Sequence, residues 1–163
     1  TIDATSIAAS VADLFGDESI DIIVGYDRNG QYGHPDHHHV HRVGRALRDL
    51  WGHAKLIEST YHRDYLASLP EHPYGEVGED FAIAAHELTH FVEGNTYFAQ
   101  KVEALKHHAS QVPDDFDTDS PDFGPLAAMF GTEWYVALDD LPDAALAVFD
   151  RAHTWSGAPP QWV

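Results

Sequence analysis

The chain has 163 residues, 44% of them apolar and four of them tryptophan, which is the composition of one folded domain and not of a disordered segment. Its net charge of −18, with nine lysines and arginines scattered along the chain, excludes the concentrated basic face that nucleic acid requires. Cysteine is absent, which excludes disulfides, thiolate-bound zinc and a nucleophilic thiol and leaves metal or acid–base chemistry to 13 histidines and 27 carboxylates.

Residues 1–163 are read as a single domain. No apolar run approaches the ~20 residues that cross a bilayer, and no basic start followed by an apolar stretch opens the chain. The first element is a helix: Ile7, Val11 and Leu14 share helical spacing and Gly16 stops it. Ile20-Asp21-Ile22-Ile23-Val24-Gly25 reads as a short buried strand. A loop from Tyr26 to Gly33 leads into a second helix, Pro35 to about Trp51, on which Val40, Val43, Leu47 and Leu50 recur and which Gly52 closes. Lys55 to Thr60 is the next strand. Strand, helix, strand in so short a span is a βαβ unit, so a mostly parallel sheet with helices on its faces is expected.

Further on, Asn95 is placed to cap a helix carrying Phe98, Val102, Leu105 and Ala109 on one face. Pro113 to Asp122 reads as an acidic exposed loop. Within it, Asp115 to Asp119 imitates a calcium loop, but Ser120 stands where glycine is needed and Leu126 where glutamate is needed. Thr132 to Leu138 reads as a late strand and Asp143 to Arg151 as a closing helix.

Ligands gather at the carboxyl ends of parallel strands, so the loop after the first strand is where chemistry is expected. There the chain reads Tyr32-Gly33-His34-Pro35-Asp36-His37. Proline suits the first helical position, which makes His34 the N-cap and sets His37 in the first turn. Asp36 suits the positive helix end, and its carboxylate is placed to accept a ring N–H and fix a histidine tautomer, as carboxylates do around metals. His38, His39 and His41 continue the cluster and are read as helix-surface or packing positions.

The stretch Asp27-Arg28-Asn29-Gly30-Gln31-Tyr32-Gly33-His34-Pro35-Asp36-His37, followed by Val40-His41-Arg42, resembles the second signature of the PIG-L/LmbE-like deacetylases. Lys101 to Gln111, ending His108-Ala109-Ser110-Gln111, resembles that family's late helix, and Gly131-Thr132-Glu133-Trp134-Tyr135 its closing strand. The resemblance implies a Rossmann-like three-layer α/β sandwich and a zinc-dependent hydrolase that removes an acetyl group from an N-acetylated amino sugar. Iron(II) is the alternative metal. By the same resemblance His37 is a metal ligand, His34 stabilises the oxyanion and handles a proton, and Tyr32 is a mobile tyrosine that assists near the substrate carbonyl. Asp36 belongs to the motif and takes the orienting role argued above. His108 and Gln111 match a motif for which no chemistry is assigned. A small-molecule N-acetyl sugar is the expected partner, the cytoplasm the expected location, and the oligomeric state is left open.

The family also opens with an Ala-His-Pro-Asp-Asp-Glu signature, which brings a histidine and an aspartate ligand and the aspartate general base. That stretch is absent here. The expectation is therefore a C-terminal portion whose N-terminal strands are missing, and which by itself is inactive. Two other readings compete. His86-Glu87-Leu88-Thr89-His90 fits the HExxH pattern of zinc proteases, which needs both histidines on one helix face. A non-catalytic sugar-binding relative is the third.

Overall fold

The computed structural model describes residues 2–69, 74–110, 112 and 123–155. Helix α1 (Ala4–Phe15) starts where the Asp3 carboxylate accepts the N–H groups of Thr5 and Ser6, and it stops at Gly16. Strand β1 (Ile22–Tyr26) pairs in parallel with β2 (Lys55–Thr60), Val24 opposite Ile57. Between them lie the single turn α2 (Gly30–Gly33) and the long helix α3 (Pro35–Trp51), which ends on Gly52 in the left-handed conformation. Gly44 of α3 faces Gly25 of β1. A Cβ on Gly44 would stand 3.8 Å from the Gly25 Cα and 3.5 Å from Leu56 Cδ1, so the missing side chains let α3 sit close on the sheet.

After α4 (Arg63–Ser68), the chain forms β3 (His90–Glu93), α5 (Phe98–Lys106), α6 (Phe123–Phe130), β4 (Thr132–Ala137), α7 (Asp143–Leu146) and β5 (Asp150–Arg151). The sheet order is β1-β2-β4-β3-β5. Helices lie on both sides of it. Leu56 points into a core with Ala8, Ile23, Leu47 and Ala54, while Ile57 points the other way to Tyr135, Leu141 and Ala145.

The βαβ unit forms as its sequence pattern predicts, but the sheet that grows from it is mixed instead of mostly parallel. Among the described strands only β1–β2 is parallel; β4 pairs antiparallel with both β2 and β3, and β5 pairs antiparallel with β3. The cause is where the chain returns. Gly94, just past β3, donates its N–H to the Gly131 carbonyl, just before β4, at 2.9 Å. The excursion through α5 and α6 thus begins and ends at one end of the sheet, and β4 must run back.

Two further expectations are corrected. Asn95 makes no capping bond; Asn95–Tyr97 is a 3-10 turn, α5 ends at Lys106, and Ala109 lies beyond it. The closing helix stops at Leu146 and the chain re-enters the sheet at Asp150. Leu14 and Leu50, which share the helical spacing, are 86% and 56% exposed. The acidic stretch from Pro113 to Asp122 lies outside the described residues.

Arg48 of α3 is locked by Asp139, beyond β4, through its Nε at 2.8 Å and a second guanidinium nitrogen, and Asp139 also accepts the Leu56 N–H at 3.1 Å. These bonds, the one from Arg48 above all, hold the Asp139 carboxyl below its ordinary value of 3.8. A lowered folded-state value adds stability that is present above the unfolded value and lost as pH falls through the folded one. Asp139→Asn is therefore expected to lower the urea midpoint at neutral pH and to converge with the unmodified protein below the ordinary carboxylate range, measured as urea melts across an acid series.

Candidate active site at the end of strand β1

Asp27 follows β1 and is fully buried. Its Oδ1 accepts the N–H groups of Asn29 (2.6 Å) and Gln31 (3.3 Å), and its carbonyl accepts the Gly30 N–H (3.0 Å), so one side chain folds the loop that presents the histidines. Its other oxygen is buried with no hydrogen-bond partner. Gln31 has φ 59°, a strained setting for a side chain of its kind. Gly30, at φ 60°, leaves no room: a Cβ there would stand 3.1 Å from the His38 N and 3.2 Å from the His37 Cβ. Gly30→Ala is expected to cost about 2 kcal/mol through strain and displacement of the α3 start, read from the shift in a denaturant melt.

His34 is the N-cap of α3 and Pro35 its first residue, as the motif predicted. The cap is made by the imidazole: the Asp36 N–H donates to His34 Nδ1 at 3.2 Å. Because Nδ1 accepts, the neutral ring carries its proton on Nε2. The Asp36 carboxylate, 88% exposed and 4.0 Å from the same Nδ1, does not make the predicted bond to a ring N–H; its backbone fixes the tautomer instead. His37 stacks on Tyr26 at 4.1 Å between centroids, lies 5.1 Å from the His34 ring and meets Tyr32 edge-on at 5.0 Å. Burial first, and the neighbouring His34 second, hold the His37 imidazole below the ordinary histidine value, which favours its neutral form. Its Nδ1 is buried without a partner. Tyr32 stacks in turn on Tyr74 at 5.2 Å, whose hydroxyl meets that of Tyr61 at 3.1 Å.

The structure thus brings Tyr32, His34 and His37 together and leaves Asp36 pointing to solvent. It also adds two carboxylates not singled out in the sequence. Asp27 is one. Glu58 of β2 is the other, buried beneath α3, its Oε1 receiving His41 Nδ1 at 3.0 Å and Arg45 Nε at 3.2 Å. His38 and His41 are packing positions as expected, their Nδ1 atoms 3.1 Å from the Arg28 and Tyr26 carbonyls. His108 is exposed; Gln111 lies outside the described residues.

The HExxH pattern does not form a zinc-protease helix. Ala85–Glu87 is a 3-10 turn and His90 opens β3, so His86 is exposed while His90 is buried in the sheet. Glu87 is engaged by Arg28 at 2.8 Å. Among the described residues no group of three or more histidine, aspartate or glutamate side chains is placed to hold a metal ion, and no helix is long and apolar enough to cross a membrane.

The curated proteins to which the chain is similar are deacetylases. No protein-family profile matches it. It is 29% identical over 182 residues to the 1D-myo-inositol 2-acetamido-2-deoxy-alpha-D-glucopyranoside deacetylase of Thermomonospora curvata, across 96% of this chain and 61% of the relative. Proteins of the same description from Acidothermus cellulolyticus and Thermobifida fusca are 28% and 30% identical, across 83% and 68% of this chain. The chain spans between 46% and 61% of the length of these three relatives.

Proposed function

We propose that the chain is the histidine-bearing part of a metal-dependent deacetylase that hydrolyses the acetamide of an N-acetylated amino sugar, releasing acetate and the free amine. The reading is carried by one observation: the His34 cap, which leaves an Nε2–H donor 5.1 Å, ring to ring, from a neutral His37 at the end of β1. The likeness to deacetylases of an acetamido-glucosyl inositol supports it and suggests the substrate class.

In this reading His37 is a metal ligand. Catalytic zinc takes three protein ligands and an open position. The described residues supply one, so they do not complete a zinc site, and the remaining ligands and the general base lie outside the described residues. A fully ligated zinc or iron(II) ion would acidify a water for attack on the acetamide. The chain's own part is electrostatic. As the carbonyl oxygen gains negative charge, the His34 Nε2–H donates to it and the Tyr32 hydroxyl assists from beside the same rings. With Nδ1 held by the Asp36 N–H, the neutral His34 ring keeps its proton, and the departing nitrogen takes the one that the general base removed from the attacking water.

The test is amine release from the acetamido-glucosyl inositol by the protein expressed from its natural reading frame. Release is expected, chelation is expected to abolish it, and added zinc to restore it; His37→Ala should lose both metal and activity. A rate indifferent to chelation, or retained in His37→Ala, overturns the assignment. Sugar binding without any amine release favours a non-catalytic sugar-binding relative.

A further inference from the structure

Tyr32 stands between two residues in the left-handed region, Gln31 at φ 59° and Gly33 at φ 81°, so the backbone around it is not regular helix. It is 37% exposed. Among the described residues no hydrogen bond holds its hydroxyl, and its ring is placed by other rings. Two of them are the imidazoles of the site, met edge-on: His34 at 5.9 Å and His37 at 5.0 Å between centroids. The third is Tyr74, which covers a face of Tyr32 at 5.2 Å with 18° between the planes.

We propose that Tyr74 is a positioning residue for the deacetylation, whose ring holds the Tyr32 ring against the two imidazoles. The inference rests on the deacetylase reading for what Tyr32 does, and on geometry alone for what Tyr74 does to it.

A positioning group has to be better fixed than the group it positions. Tyr74 comes from the segment between α4 and β3, and its ring is tied down on the side away from Tyr32. Its hydroxyl meets that of Tyr61 at 3.1 Å, and Phe81 packs on its ring at 5.1 Å. Tyr61 follows β2 directly; its carbonyl accepts the Ile83 N–H at 3.2 Å, and its ring lies against Phe81 at 6.4 Å and Phe130 at 6.1 Å. Burial pushes both hydroxyls above the ordinary tyrosine value, so the pair is a hydrogen bond between neutral groups. The stretch that carries Phe81 is bonded to the histidine loop as well. Ala82 donates its N–H to the Gln31 carbonyl at 2.7 Å, and its own carbonyl accepts Asn29 Nδ2 at 2.7 Å. Tyr74 thus links the end of β2 to the face of Tyr32.

The consequence for the reaction is one of population. A side chain that must occupy one rotamer acts only for the fraction of time it is there. Removing an aromatic stack lets Tyr32 spread over its other rotamers, most of which leave the imidazoles.

Two readouts on the protein expressed from its natural reading frame test this. With isotope-labelled tyrosine and histidine rings, a nuclear Overhauser contact between the Tyr32 and His37 rings is expected. Tyr74→Leu, which removes the stacked ring, should abolish most of it, and Tyr74→Phe, which keeps the ring, should restore it. Turnover of the acetamido-glucosyl inositol should follow: kcat about fivefold lower in Tyr74→Leu with KM kept, the weight of one aromatic stack, and recovered in Tyr74→Phe. Tyr74→Met replaces Tyr74→Leu if that variant fails to fold. A ring contact and a kcat that Tyr74→Leu leaves unchanged, or losses as large in Tyr74→Phe, overturn the proposal. Loss of the ring contact at unchanged kcat also overturns it, and leaves the deacetylase reading standing. If the unmodified protein releases no amine, that reading falls and the proposal with it, while the ring contact and its loss in Tyr74→Leu remain.

Discussion

His34→Asn is expected to lower kcat for acetamido-sugar hydrolysis about 10²–10³-fold while leaving KM and stability close to those of the unmodified protein. The magnitude is that of one hydrogen-bond donor removed from a developing oxyanion. The choice of asparagine matters because His34 has two roles. Its Nδ1 caps α3, and its Nε2–H points away from that cap. Alanine would remove both, and a lost cap alone costs about 1 kcal/mol. Asparagine is itself a strong N-cap, so it keeps the helix start and deletes only the outer donor. A transition-state contact shows as a fall in kcat with KM unchanged. Steady-state kinetics on the natural reading-frame product, with urea melts alongside, decide the matter. If His34→Asn keeps full turnover, His34 is a cap and nothing more.

Glu58→Ala is expected to destabilise the fold by about 3 kcal/mol, because it leaves the His41 and Arg45 donors that a buried carboxylate accepts unmatched. Glu58 is 5% exposed at its side chain, and His41, which it binds, is 15% exposed; Arg45 is 47% exposed and can turn to water. The loss therefore falls mainly on His41, which would be left with the Tyr26 carbonyl at 3.1 Å as its remaining contact. Glu58→Gln should cost far less, since an amide oxygen still accepts both donors.

The pH dependence separates the two terms. Burial raises the Glu58 carboxyl above its ordinary 4.5, and the opposing pull of His41 and Arg45 does not cancel it. A raised folded-state value gives a contribution that is full below the unfolded value and is lost as pH rises through the folded one. Stability of the unmodified protein should therefore decline above 4.5 through that range, and Glu58→Gln should flatten the decline. A melt series in which both proteins run parallel from acid to neutral would contradict this account of the pair.

What the sequence disclosed was whatever local chemistry determines. Pro35 at a helix start, Gly52 at its end, the β-branched run Ile22-Ile23-Val24 before it and the short segment Lys55 to Thr60 after it mark out β1, α3 and β2 without reference to the rest of the chain. The Tyr32-to-His37 cluster was found for the same reason, since its geometry comes from being an N-cap. The direction of β4 was hidden because it depends on the Gly94–Gly131 bond, between residues far apart in sequence. Asp143 to Arg151 had helical spacing, but the pull of β3 on Asp150 and Arg151 ends the helix early. Asp27 and Glu58 read as ordinary loop and strand charges, and only their burial, invisible in one dimension, marks them out.

The His34 cap has one more consequence. Two imidazoles three positions apart would be interchangeable in a flexible peptide, each free to place its hydrogen on either nitrogen. Here a main-chain N–H occupies one nitrogen of the first ring, while Tyr26 stacks on the second and Tyr32 meets it edge-on. The backbone thereby makes one ring a giver of hydrogen bonds and leaves the other as an electron-pair source. Division of labour in this motif is inherited from the start of a helix, and it lasts as long as both rings and that start are kept.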